Sequence, residues 1–172
     1  MPIVATDILT RLSGGATNAT PNASLGGVMS STAWAGGTLH DLFDPITGDE
    51  NAASTVDYRA IYVRNGHATL SLLGATVWLT AQIAGGALVD IGLDAAAVGN
   101  GSTTGVAATI ANETTAPAGV TFNAPATKAG GLVIGDIAAG SAKAVWFRRT
   151  ASNSAAIDND GVTLNISGDT TA

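Results

Sequence analysis

Residues 75–83 read ATVWLTAQI and, after the glycine pair Gly85–Gly86, residues 87–93 read ALVDIGL. In the first run Val77, Leu79, Ala81 and Ile83 fall at every second position, with Thr76, Trp78, Thr80 and Gln82 between them. In the second, Val89, Ile91 and Leu93 repeat the spacing. Successive side chains of a strand point to opposite faces, so this alternation sets an apolar row toward a core and a mixed row away from it.

The same rhythm extends in both directions. Upstream, VDYRAIYVRN (56–65) alternates Arg59, Ile61 and Val63 with Tyr58, Ala60 and Tyr62. Asn65-Gly66 then predicts a tight hairpin, with ATLSLLG (68–74) as the partner strand. Downstream, residues 94–105 are small and polar and predict a loop containing GNGSTTG. VAATIA (106–111) and GVTFNAP (119–125) predict short strands around Pro117. A short strand within 131–137 and a strong one from Lys143 to Thr150 follow. Asp160-Gly161 predicts a final hairpin into GVTLNIS, with Val162, Leu164 and Ile166 inward. Leu39, Leu42 and Phe43, with Thr38 as N-cap and Pro45 beyond, predict one short helix. Many short strands at close intervals, without a long helical pattern, predict an all-β chain. The expected architecture is a β-sandwich, immunoglobulin-like or jelly-roll-like.

Residues 1–37 differ. After the apolar segment Ile3–Leu9 comes RLSGGATNATPNASLGGVMSSTAWAGG, dense in Gly, Asn, Ser and Thr. Its composition predicts an extended arm, 1–37, ahead of a single sandwich domain, 38–172. An arm can lie on a neighbouring subunit or wrap its own domain, and the composition suits both. Trp34 has the character of an anchor inserted into a partner. Leu25, Val28 and Met29 are the arm's other candidate interface residues.

Charged residues make up 12% of the chain, about half of the ~25% usual in soluble domains. A surface this poor in charge suits coverage by other subunits. The net charge is −6 and the seven basic residues are scattered. Nucleic-acid binding needs clustered Lys and Arg, so nucleic acid is not an expected partner. Arg148-Arg149 would point to opposite faces of a strand. The long apolar-rich stretch without Asp, Glu, Lys or Arg, Asn65–Val89, alternates and carries glycines, so it reads as sheet and no membrane association is expected. Asp7 and Arg11 interrupt the apolar run a signal peptide would need.

Little in the chain can carry chemistry. There is no cysteine, and the two histidines, His40 and His67, stand apart from any Gly-x-Ser-x-Gly nucleophile motif. GNGSTTG lacks the lysine of a phosphate-binding loop and the third glycine of a dinucleotide fingerprint. Two acidic runs, Asp41/Asp44/Asp49/Glu50 and Asp158/Asn159/Asp160, fall short of a calcium-loop pattern. No catalytic residue, metal site or cofactor is therefore expected.

The runs RLSGGATNATPNASLGGVMSST (11–32), TIANETTAPAGVTFNAP (109–125) and AVWFRRT with NDGVTLNISGDT (144–150, 159–170) span most of the chain. Together they resemble a small β-rich family of tailed-bacteriophage virion proteins. The resemblance implies a non-enzymatic structural protein of the virion, assembled in the host cytoplasm. It would pack on capsid or tail subunits as a decoration or stabilising component, and be homo-oligomeric. The alternative is a host-polysaccharide-binding adhesin module of a tail fibre or baseplate, against which the scarcity of aromatic residues counts.

Overall fold

The structure is a computed structural model that describes residues 1–98 and 106–170, with the backbone alone at 96–98; GNGSTTG at 99–105 lies outside the described residues. Its strands are β1 (Ile8–Leu12), β2 (Gly26–Gly27), β3 (Val56–Asn65), β4 (Leu72–Thr80), β5 (Leu88–Val98), β6 (Ala107–Thr109), β7 (Phe122–Asn123), β8 (Leu132–Ile137), β9 (Ala142–Thr150) and β10 (Thr163–Thr170), with one α-helix, α1 (Gly48–Ala53). All pairings are antiparallel. Five strands form a sheet in the order β1-β3-β9-β5-β7, three form another in the order β10-β4-β8, and β2 pairs with β6.

The alternation read from the sequence builds the core between the two larger sheets. Ile61 and Val63 of β3, Val145 and Phe147 of β9, and Val89 and Ile91 of β5 meet Val77 and Leu79 of β4 and Ile134 and Ile137 of β8. Each such side chain stabilises the fold by about 1.5–3 kcal/mol on burial. The protein is an all-β sandwich with one short helix.

The five-stranded sheet is covered on its second face as well. Tyr58, Ala60 and Tyr62 of β3 and Ala144 and Trp146 of β9 lie beneath Leu25, Met29, Ala107 and Ile110. A strand covered on both faces reads as a continuous apolar run, and β3 does so over Ala60–Val63. The N-terminal segment supplies much of this cover. β1 pairs with β3 from Ile8↔Asn65 to Leu12↔Ile61. Beyond Leu12 the edge of β3 is completed without a strand. Ser13 Oγ donates to the Ala60 carbonyl at 2.8 Å, Ala60 N–H donates to Ser24 O at 2.8 Å, and Tyr58 N–H donates to Glu113 O at 2.7 Å. These bonds explain why Ser13 and Ser24 are fully buried, since a buried backbone group needs a partner. Gly26 then passes directly over Trp146 at φ +85°, where a Cβ would overlap the Ala108 carbonyl. Residues 30–34 return along β1, with Leu12 N–H donating to Thr32 O, Ser30 N–H to Leu12 O and Trp34 N–H to Thr10 O.

Several local expectations are overturned. Asn65-Gly66 does not close a hairpin: β3 belongs to the five-stranded sheet and β4 to the three-stranded one. Asn65 is fully buried instead, and its Nδ2 donates to Leu70 O at 2.7 Å and to Ile137 O at 2.9 Å, steering the chain between layers. The runs 68–74 and 75–83 contribute one strand, β4, which ends at Thr80 because Ala81 turns left-handed at φ 55°. β5 extends through Val98 into the predicted loop. Asp160-Gly161 likewise joins the two sheets, since β9 and β10 are not paired. The helix forms one step later than Leu39–Phe43. His40 at φ 61° breaks the first candidate, whereas Thr47 and Glu50 form a capping box that starts α1.

Candidate functional site

The four candidate interface residues of the N-terminal segment occupy three different settings. Leu25 packs beside Tyr58, Ile110 and Trp146, and Met29 beside Tyr62 and Ala107. Val28 is half-buried and its carbonyl accepts from Gly15 N–H at 3.0 Å. Trp34 passes round the β1 edge and meets Phe147 edge-on at 5.7 Å, on the sandwich-core side. Its Nε1 is buried without an acceptor.

Tyr62 ties this cover together. Its hydroxyl donates to Gly27 O, and its oxygen accepts from Ala107 N–H at 3.0 Å. Burial pushes the Tyr62 hydroxyl above its ordinary value; the Ala107 hydrogen bond opposes the rise and the Asp94 carboxylate adds to it. The group therefore stays a neutral donor at pH 7.

A network of charges fills the end of the inner layer. Arg59, fully buried, pairs with Glu113 and lies 3.6 Å from Asp44. Arg149 pairs with Asp57 at 2.5 Å and also lies 3.6 Å from Asp44. The Phe43 ring lies 5.6 Å from the Arg59 guanidinium and 4.8 Å from that of Arg149. Arg149 also donates to the Asp44 carbonyl, which fixes segment 42–46 to the sheet. Arg148, on the opposite face as strand geometry requires, donates twice to Asp90 and stacks on Phe122.

The structure brings the two acidic runs together. Asp41 and Asp44 from the first, and Asp158, Asn159 and Asp160 from the second, line one cleft of about 780 Å³. Its walls include Trp34, Leu42, Phe43, Phe147, Val162 and Leu164. Asp160 accepts from Ala87 N–H at 2.6 Å, and Gly86 leaves the space that its carboxylate fills. Among the described residues no group of three His, Asp or Glu side chains is placed to hold a metal ion. His67 builds a turn: its Nδ1 accepts from Thr69 and Leu70 N–H, which leaves Nε2 as donor to Met1 O at 3.2 Å.

The outer face of the three-stranded sheet is a different kind of surface. Leu164, Ile166, Val77, Leu79 and Ile134 point inward, so Thr163, Asn165, Trp78, Thr80 and Val133 form the outward row. Asn165 faces Trp78 in register, and its Nδ2 donates to Thr80 Oγ1 at 2.8 Å. Val133 is 65% exposed. None of these five side chains ionises. Trp78, Thr80 and their neighbours were legible as one face from alternation alone, but nothing local showed that this face stays open while the corresponding face of β3 is covered.

No helix among the described residues is long and apolar enough to cross a membrane. The chain matches no protein-family model, and comparison with curated proteins and with solved structures finds no match.

Proposed function

We propose that the chain is a non-enzymatic structural subunit of a tailed-phage virion, a decoration or stabilising component that packs on capsid or tail proteins and on further copies of itself. One observation carries most of this reading. The outer face of the three-stranded sheet presents an uncharged patch, Thr163, Asn165, Trp78, Thr80 and Val133, centred on the partly exposed Trp78 beside the exposed Val133, with the exposed Asp136 and Asp169 further along the same strands. A patch of this kind gains by exclusion of water and has no charge of its own to desolvate. The low charge of the whole chain, at 12%, and the resemblance of its turn-and-strand runs to virion proteins support the same reading.

A second reading, a host-polysaccharide-binding adhesin module, uses the same tryptophan. Trp78 flanked by Asn165 and Thr80 is a platform on which a sugar ring could stack. The two readings separate in one experiment. Particles assembled with Trp78→Ala plus Val133→Lys should lose the protein from the purified virion, as measured by cryo-electron microscopy occupancy. The isolated variant should keep its wild-type fold. Full occupancy with loss of polysaccharide binding would replace the structural reading by the adhesin one.

A further inference from the structure

The cleft between segments 34–51 and 152–164 is separate from the open sheet face and has its own chemistry. Its floor is apolar and continuous with the core, through Trp34, Phe43, Phe147 and Leu164. Its lining also includes two of the chain's exposed large apolar side chains, Leu39 at 67% and Ile157 at 37% exposure. An exposed aliphatic at the mouth of an apolar cleft gains on contact with another apolar group.

The charge lining the cleft selects what that group belongs to. Asp41, Asp44, Asp158 and Asp160 line it, with Arg149 as the only Lys or Arg among the lining residues. Arg149 is already held by Asp57 and by the Asp44 carbonyl. The cleft is therefore electronegative toward an incoming segment. A second copy of this chain is poorly equipped to answer it. Of the seven basic residues, Arg11 donates to Ser31 O, Arg64 to Gly140 O and Lys143 to Ile134 O, while Arg59, Arg148 and Arg149 are ion-paired. Only Lys128 has no bonded partner among the described residues.

We propose that this cleft docks a basic segment of a different polypeptide, with an apolar side chain seated against Trp34 and Phe43 and Lys or Arg side chains against Asp41 and Asp158. The proposal rests on the reading of the chain as a docking subunit and deepens it, because it names a partner that is heterotypic and basic. It differs from the open sheet face in its salt dependence. Contacts of the uncharged patch around Trp78 are insensitive to ionic strength, whereas those of the cleft are screened.

The test is a titration of the ¹⁵N-labelled full chain with a synthetic octapeptide of alternating Lys and Leu. The matching Glu/Leu and Lys/Ser octapeptides serve as comparisons. The Lys/Leu peptide should shift amides within 37–48 and 152–162 and the Trp34 indole, and the other two should bind at least tenfold more weakly. Asp41 and Asp158 have no hydrogen-bonded partner among the described residues, so Asp41→Asn with Asp158→Asn leaves the fold intact. The double change should raise Kd roughly tenfold, on the order of threefold per exposed carboxylate, and molar salt should do at least as much. Equal binding of the Glu/Leu peptide, shifts confined to the Trp78 face, insensitivity to the double change, or no shift at millimolar peptide would each overturn the proposal. The Trp78 variant particles test the structural reading separately, so failure of the cleft proposal is told apart from failure of that reading.

Discussion

Replacing Tyr62 by Phe removes one oxygen atom and leaves the ring in place. That oxygen bridges the paired strands β2 and β6, as donor to Gly27 O and acceptor from Ala107 N–H. Tyr62 is fully buried, so water does not reach the two orphaned backbone groups without disturbing the cover. A hydrogen bond contributes about 1 kcal/mol net, and a buried group left without a partner costs about 1–3 kcal/mol. Two such groups give a loss of roughly 2–6 kcal/mol. With a urea m-value of about 2 kcal/mol/M, the unfolding midpoint should fall by about 1–3 M. Trp146 lies under Gly26 in the same cover, so tryptophan fluorescence follows the transition. Amide exchange at Ala107 should accelerate in parallel. Tyr58→Phe is the control: its hydroxyl, on the same face, makes no hydrogen bond among the described residues, and its loss should cost under about 0.5 kcal/mol. A second signature comes from pH. Because burial raises the Tyr62 pKa, the folded state holds its proton more tightly than the unfolded state. The associated stability is present below the unfolded tyrosine value, about 10, and is lost as pH rises from there through the folded value. Tyr62→Phe should flatten that alkaline decline. A midpoint within about 0.2 M of wild type, with the decline unchanged, would refute the idea that this hydroxyl pins the N-terminal cover.

Two further outcomes follow from the charges. Asp57→Asn weakens the buried partner of Arg149 and should destabilise by about 3–5 kcal/mol, whereas Arg148→Ala, at a part-exposed pair with Asp90, should cost about 1 kcal/mol or less; urea unfolding of both variants checks the order. Glu50 is held below the usual carboxylate range, first by the Thr47 backbone N–H and then by the Thr47 side chain. Its capping contribution is present above the unfolded Glu value and should fade as pH drops through the folded one, a loss that Glu50→Gln removes from the acid limb of a stability–pH curve.

Alternation over Val77–Leu79, Val89–Leu93 and Ile61–Val63 was enough to identify strands and their inward rows, because a strand's two faces are set by local geometry. The absence of cysteine and the scarcity of charge were equally plain in composition. Strand partners were not, since pairing is a contact between residues far apart in the chain. Asn65-Gly66 carries the local signal of a hairpin, yet the buried Asn65 amide is committed to Leu70 O and Ile137 O and the chain changes layer. In the same way, Arg59 and Arg149 look like ordinary solvent-facing members of alternating strands. Their burial depends on tertiary contacts: Glu113 lies 54 residues from Arg59, and Asp57 and Asp44 lie 92 and 105 residues from Arg149. Asp41 and Asp44 of the first acidic run and Asp158–Asp160 of the second signal nothing apart and come to line one cleft only once the sandwich closes. Sequence determined which residues want to leave water; the tertiary structure decided what covers each of them, because burial is shared between segments that no local pattern connects.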